Sequence, residues 1–307
     1  MNGYVAVVIA LAVAAYMFAA SARSRVIRHF ERDASARRPV GADGIVIGAE
    51  GFTLEGSATH AVLLLHGFGD TPQSVRPLAV TLQAAGWTVR AELLAGHGRP
   101  LREYAKVRER DWVDGVSAAY TRLCSQYQTV VVCGLSMGAA LAVILAEAHP
   151  EIPSLALLAP YLVMPRDMHV KTDLARLLNY IYPYHANTGG ETSIHDPIAR
   201  AETLGVGVVT APLLSELRAV ALHAQRALPS LRARTLYLQS REDNRINADD
   251  AVRQFARLGS PIKEQRWLTG CGHIITVDYC KDEVARQVVE WFAPDLGQGA
   301  SALRLNH

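Results

Sequence analysis

Three residues in this chain have the types, the order and the spacing to do nucleophilic chemistry. Ser136 lies in Gly134-Leu135-Ser136-Met137-Gly138, between the apolar β-branched run Val130-Val131-Val132 and the small-residue stretch Ala139 to Ala148. A buried strand that turns sharply into a helix would put this serine at a strained, exposed elbow. The free N–H groups and positive end of the helix would then point at its hydroxyl. A serine hydroxyl needs a base to activate it, and the base needs an acid to orient it. His273 follows the last apolar run in the turn Gly270-Cys271-Gly272-His273, and Asp243 follows the run before it. Glu242 is the rival to Asp243 as the orienting acid. Two backbone N–H groups are also needed to hold an oxyanion. The residue after the nucleophile, Met137, supplies one. The loop after Ala61–Leu65 supplies the other, at Phe68. His66 in that loop and His97 in Gly96-His97-Gly98 read as bracing residues, and Asp70 as a turn residue.

These residues must be positioned by a sheet. Ala61–Leu65, Trp87–Leu94, Val130–Cys133, Ser154–Ala159, Ala233–Gln239 and Ile262–Leu268 read as strands. Most are continuous apolar runs, as expected of strands covered on both faces. Between them lie helical patterns at Pro72–Gly86, Asp111–Tyr127, 248–258 and Asp278–Phe292. On the second of these, Trp112, Val116, Ala119, Tyr120 and Leu123 share one face. Alternating strands and helices predict an α/β fold with a mostly parallel sheet and helices on both faces. Ile45–Glu55 reads as a short hairpin. Residues 160–230 break the rhythm with helical stretches at Lys171–Ile181 and Ala211–Leu228. That insertion would lie over the C-terminal edge of the sheet as a helical cap, where open α/β sheets bind ligands.

Composition narrows the function classes. The chain has 307 residues, 31 Lys+Arg and 29 Asp+Glu. Residues 1–40 hold six of those arginines against Glu31 and Asp33, which leaves 25 basic and 27 acidic residues in the remainder. The remainder is thus slightly acidic, which excludes nucleic acid as a partner on charge grounds. The four cysteines (124, 133, 271, 280) form no metal-ligand pattern; Cys271 and Cys280 are too far apart for a CxxC site. On this reading nothing argues for an oxidising compartment.

Gly3 to Ala22 carries no charge, and twenty helical residues rise about 30 Å, enough to cross a bilayer core. Arg23, Arg25 and Arg28 follow. Residues 1–22 are therefore expected to be a membrane anchor and 23–44 a juxtamembrane linker with some helix. Residues 45–296 would form the catalytic domain, with its cap at about 160–230, and 297–307 a frayed tail. The arginine bias places the catalytic domain in the cytoplasm. The alternative is export after a signal peptide cut behind Ala20-Ser21-Ala22, which lacks a basic n-region.

His66-Gly67-Phe68-Gly69-Asp70-Thr71-Pro72, Gly96-His97-Gly98, Asp111-Trp112, the Gly134–Gly138 elbow, Asp243-Asn244-Arg245-Ile246-Asn247 and Gly272-His273-Ile274-Ile275-Thr276-Val277-Asp278 together resemble the bacterial carboxylesterases related to monoacylglycerol lipases. The likeness runs from about residue 50 to 293. It implies the capped α/β-hydrolase fold, a triad at Ser136, Asp243 and His273, oxyanion donors at Phe68 and Met137, and no metal or organic cofactor. The N-terminal apolar segment is extra to that family, and the cap matches it poorly. The expected activity is serine carboxylesterase, on a small-molecule ester, with an acyl lipid as the expected substrate. An acyl-thioesterase or acyltransferase with the same triad, or a peptidase on this fold, remains an alternative, as does a non-catalytic membrane-tethered scaffold.

Overall fold

The computed structural model describes residues 2–187 and 190–297; the tail expected at 297–307 lies outside it from residue 298 on. The chain opens with helix α1 (Asn2–Arg37). Strands β1 (Phe52–Leu54), β2 (His60–Leu65) and β3 (Thr88–Glu92) follow, with α2 (Arg76–Ala84) between the last two. Then come α3 (Leu101–Tyr104), α4 (Glu109–Cys124), β4 (Thr129–Leu135), α5 (Met137–Ala148) and β5 (Ser154–Leu158). The cap holds α6 (Arg166–Leu178), β6 (His185–Ala186), α7 (Gly190–Ser193), α8 (Pro197–Ala201), β7 (Val208–Val209) and α9 (Ala211–Ala227). The chain returns to the sheet through β8 (Arg234–Ser240), α10 (Ala248–Ala256), β9 (Lys263–Leu268) and α11 (Lys281–Phe292).

Seven strands form one sheet in the order β1-β3-β2-β4-β5-β8-β9, and β6 pairs with β7 in a separate ribbon. Every pairing in the large sheet is parallel except β1 with β3. This is the expected α/β-hydrolase architecture. Alternation along each strand divides the core in two. Val62, Leu64, Val131 and Cys133 pack on one face with α2 and α11. Ala61, Leu63, Val130 and Val132 pack on the other with α4, α5 and α9. Helix α5 is sandwiched there, and every residue from Met137 through Ala146 is buried. Its alanines allow the sheet and α9 to approach closely, which a helix of large side chains would prevent.

Two local readings differ from the structure. Ile45–Glu55 is not a hairpin. Its only strand, β1, pairs antiparallel with β3, Phe52 opposite Ala91, while Val46 bridges back to Val40. The alternating pattern signals a strand but cannot name its partner. Residues 23–37, expected to be a linker with some helix, continue α1 without a break. No glycine or proline interrupts this stretch until Pro39, which cannot continue a helix. From Ala19 onward one stripe of α1 is covered, Arg23, Ile27, Phe30 and Ala34, and Arg38 just past the helix continues it. Ala34 belongs to the core, with Ile27 and Phe30 packed against it. Glu31 accepts two hydrogen bonds from the Arg102 guanidinium, at 2.9 and 2.8 Å.

Candidate active site

The elbow forms because β4 runs directly into α5. Ser136, between them, has φ 55° and ψ −114°, a conformation disfavoured for a residue with a Cβ. Two close approaches enforce it. A Cβ on Gly134 would stand 2.3 Å from the Gly138 carbonyl oxygen, and one on Gly138 2.5 Å from the carbonyl oxygens of Leu65 and His66. Backbone bonds complete the clamp: the Ser136 amide donates to the Leu158 carbonyl at 2.8 Å, and Tyr161 donates to the Ser136 carbonyl at 3.1 Å.

His273 lies in the turn after β9, and Asp243 in the turn after β8. The structure brings both to Ser136. His273 Nε2 is 2.8 Å from Ser136 Oγ, and His273 Nδ1 is 2.8 Å from Asp243 Oδ2. Nδ1 faces a carboxylate and therefore carries the proton, so Nε2 is the acceptor for the serine hydroxyl. The Asp243 carboxylate is saturated. Oδ1 accepts from the amides of Arg245 and Ile246 at 2.7 and 3.0 Å, and Oδ2 also accepts from Gln239 Nε2 at 2.7 Å. Burial alone would raise its pKa, but the imidazole and these amides outweigh burial and hold it below the usual carboxylate range. Glu242 instead points to the rim, where Oε1 accepts from the Gly270 amide at 2.8 Å. Gln239 is an orienting partner that no sequence signal marks.

Met137 follows Ser136 directly, and Phe68 lines the same cavity as Ser136. Met137 is the first residue of α5 and fully buried. The Phe68 loop passes beside the serine; a Cβ on Gly67 would stand 3.3 Å from Ser136 Cβ. The Phe68 ring rests among His97, Tyr104 and Trp112, with centroids 6.2, 6.0 and 6.0 Å away. His97 Nε2 accepts from the Gly69 amide at 3.0 Å, and His66 Nε2 accepts from the Leu94 amide at 3.1 Å. Each imidazole donates from Nδ1 to a backbone carbonyl, Ala95 for His97 and Gly67 for His66. Burial pushes the His97 pKa down to about 4 and that of His66 well below the usual histidine value. Both are thus neutral struts that fix the loop, in the bracing role expected of them.

His273 sits in a loop that the sequence describes poorly. Cys271 and Cys280 are disulfide-bonded, with Cα atoms 5.9 Å apart, and the bridge encloses His273. In sequence their spacing fails a CxxC site and names no pairing. The turn after β9 folds back and brings them together, so the cysteines do carry an argument for an oxidising environment. Asp278, fully buried, ties the same loop to the cap. Its carboxylate accepts from the amides of Gly272, His195, Asp196 and Tyr279 at 2.7 to 2.9 Å. An aspartate five residues after the histidine, just before a helix, was a signal of this role. The cap closes over the site, and Ser193 accepts from the Ile274 amide through its carbonyl at 2.9 Å. Beneath the cap lies a cavity of about 780 Å³, with Ser136, His273 and Phe68 in its floor and Met168, Ala175 and Leu217 in its walls.

Comparison with known proteins agrees with this architecture. A family model described as serine aminopeptidase, S33 (Hydrolase_4) matches residues 56–279. The thermostable monoacylglycerol lipase of Bacillus sp. (strain H-257) is 31% identical over 255 residues, 82% of this chain and 98% of the lipase. The carboxylesterase of Bacillus subtilis (strain 168) is 28% identical over 80% of this chain and 97% of its own. Among solved structures, one from a study of the metagenome-derived lipolytic enzymes LipS and LipT superposes with a TM-score of 0.74 at 27% identity, covering 81% of this chain and 99% of that one. The chain belongs to the Hydrolase_4 family and is an α/β-hydrolase of the carboxylic ester hydrolase type, related to monoacylglycerol lipases.

Proposed function

We propose that the protein is a membrane-anchored serine esterase that cleaves acyl-lipid esters through an acyl-enzyme. The observation that carries this reading is the Ser136–His273–Asp243 hydrogen-bonded relay on the floor of a cavity large enough for an acyl chain. Ser136 Oγ attacks the ester carbonyl while His273 Nε2 takes its proton. The carbonyl oxygen, now an oxyanion, sits between the amides of Phe68 and Met137. His273 passes the proton to the departing alcohol, and Asp243 keeps the imidazole oriented and stabilises its charged form. Water then enters, gives a proton to His273 and attacks the acyl carbon. Collapse releases the carboxylic acid and restores Ser136. Residues 45–296 form the catalytic unit, with the cap at about 160–230.

The family description also names an aminopeptidase. That chemistry needs an acid to receive the substrate's α-ammonium group. Among the described residues that line the cavity, Asp243 is already engaged and the other carboxyl, Asp70, is buried and pushed up to about 6 by that burial. Lys171, Arg200 and Arg245 add positive charge to the lining. The cavity therefore favours a neutral or anionic ester over an ammonium.

The apolar stretch of α1, none of it buried, supports a single-pass anchor. Its arginine flank assigns the catalytic domain to the cytoplasmic side, whereas the Cys271–Cys280 bridge favours export to an oxidising one. Alkylation of intact cells with a membrane-impermeant thiol reagent, before and after reduction, separates the two.

The deciding experiment assays the full chain in detergent on p-nitrophenyl esters of increasing acyl length, on acyl thioesters and on aminoacyl anilides, beside Ser136→Ala and Asp243→Asn. Turnover of long-chain esters should fall by about 10⁴-fold or more in both variants. An unchanged rate in Ser136→Ala, or turnover of anilides alone, overturns the reading.

A further inference from the structure

One buried charge in this molecule takes no part in the ester chemistry and has no counter-charge in the chain. Arg38 directly follows α1 and is only 8% exposed. Its Nη1 is enclosed without a hydrogen-bond partner, and among the described residues no carboxylate forms an ion pair with it. Burial and the neighbouring Arg37 both pull its pKa below the usual arginine value. Tyr104 acts against them, but burial keeps that hydroxyl protonated, and it too is enclosed without a partner. A guanidinium does not shed its proton to escape such a place. An unpaired buried charge is among the costliest features a fold can carry.

Arg38 lines a cavity of about 360 Å³ that shares no lining residue with the one over Ser136. Arg99 and Arg102 line it too, and the three guanidiniums are not equivalent. Arg102 is engaged, since it donates to both carboxylate oxygens of Glu31 at 2.9 and 2.8 Å. That pairing also removes Glu31 as a partner for Arg38. Arg99 donates from Nη1 to the Asp43 carbonyl at 2.9 Å and pairs with no carboxylate among the described residues. Gly44, at φ 76°, leaves room for it; a Cβ there would stand 2.9 Å from that Nη1. The other carboxylate in the lining, Glu103, is exposed and pairs with neither Arg38 nor Arg99. Two positive charges thus stand unopposed at one cavity, whose remaining walls include Ala34, Val40, Val46 and Leu101. Apolar walls strengthen the attraction of such a pair for an anion. Guanidinium forks match phosphate oxygens in shape, and a phosphate carries close to two negative charges at neutral pH.

We propose that Arg38 and Arg99 form a binding site for a phosphate group, carried by inorganic phosphate or a small soluble phosphate monoester, in the cavity between α1 and α3. A lipid headgroup shares that chemistry. On the anchor reading above, however, Arg38 lies sixteen residues past the uncharged run, or about 24 Å along the helix direction. The headgroup layer outside the acyl core is only about 5–8 Å deep. The bilayer that α1 enters is therefore out of reach, and the ligand comes from solution. Bound phosphate would tie α1 to the catalytic unit, because Arg38 follows the helix and Arg99 precedes α3.

The test uses the full chain in detergent, with inorganic phosphate replacing chloride at constant ionic strength. Titration calorimetry should show saturable binding. Phosphate at about ten times its dissociation constant should raise the unfolding temperature by about 2–4 °C. Arg99→Gln should weaken binding by about tenfold or more, and Arg38→Met should abolish it. Arg38→Met should also unfold no lower than the parent in chloride and below it in phosphate, an inversion that a purely structural arginine would not give. A parent that shows neither heat nor a shifted midpoint overturns the proposal, as does binding that Arg99→Gln leaves unchanged. A midpoint of Arg38→Met below the parent's in chloride means that the chain itself pairs this charge, and also overturns it. For the source, protein in phosphatidylcholine vesicles should bind phosphate equally with and without phosphatidic acid in the bilayer. Competition by phosphatidic acid would assign the site to a headgroup and overturn the soluble ligand.

Discussion

Ser136 and His273 meet at 2.8 Å, yet the chain holds them by opposite means. Ser136 is fixed locally. Its position follows from a strand, a sharp turn and a helix within about twenty consecutive residues, and the strain at φ 55° is offset by close backbone contacts on both sides. His273 belongs to no regular element. Its loop is held by the Cys271–Cys280 bridge, by the Asp278 carboxylate, by the Ser240 hydroxyl donating to the Cys271 carbonyl, and by a cap residue about 80 positions upstream. Ser136 is thus placed by local sequence, and His273 by distant pairs. A change on the first side strikes the fold itself. A change on the second side should move the imidazole while the sheet stays intact.

The largest expected effect follows at the elbow. Gly138→Ala puts a methyl group 2.5 Å from two carbonyl oxygens of backbone that cannot give way, since Leu65 ends the central strand β2 and His66 follows it directly. Overpacking of this kind costs about 3 kcal/mol or more, a large part of a domain's net stability. Urea unfolding should show a much lower midpoint or no folded protein. An unchanged midpoint would break the contrast, because it would mean that the elbow relaxes as freely as a loop.

Asp278→Asn tests the other side. Four backbone amides give hydrogen bonds to this carboxylate. Burial opposes its charge, but the amides outweigh burial and hold the pKa below the usual aspartate value of 3.8. With a folded pKa below the unfolded one, its stabilisation is complete at neutral pH and is lost as pH falls below 3.8 through the folded value. Asparagine keeps one acceptor oxygen and turns an NH₂ toward donors, which costs about 1–3 kcal/mol. The displaced imidazole should lower kcat/KM by up to about 100-fold. The stability gap between parent and variant should close as the pH is lowered. A variant that loses stability without losing activity would show that Asp278 holds the cap and not the base.

The same contrast explains what the sequence discloses. The elbow, the order Ser136, Asp243, His273 and the apolar strands are legible because each signal lies within a few residues. Asp243 could be preferred to Glu242, but only the turn geometry after β8 shows why: its backbone amides converge on one carboxylate and leave the other at the rim. The partner of β1 lies about 36 residues away in β3, so no local pattern names it. The helix of residues 23–37 was hidden by reading hydropathy, since charge ends an apolar run but does not end a helix. The bridge and Asp278 act between segments that the chain brings together only once it is folded.

The smallest effect is expected from the bridge. Cys271 and Cys280 are nine residues apart, and closing so short a loop restrains the unfolded chain by about 2–3 kcal/mol. Cys271→Ala with Cys280→Ala should therefore lower thermal stability and match the parent measured under reductant. Its activity at 25 °C should stay within about threefold of the parent, because Asp278, Ser240 and Glu242 still hold the turn. If the double variant instead lost as much activity as Asp278→Asn, the bridge would be the main restraint on His273. His273 would then depend on an oxidising environment, which would favour export over the cytoplasmic side that the arginine flank of α1 suggests.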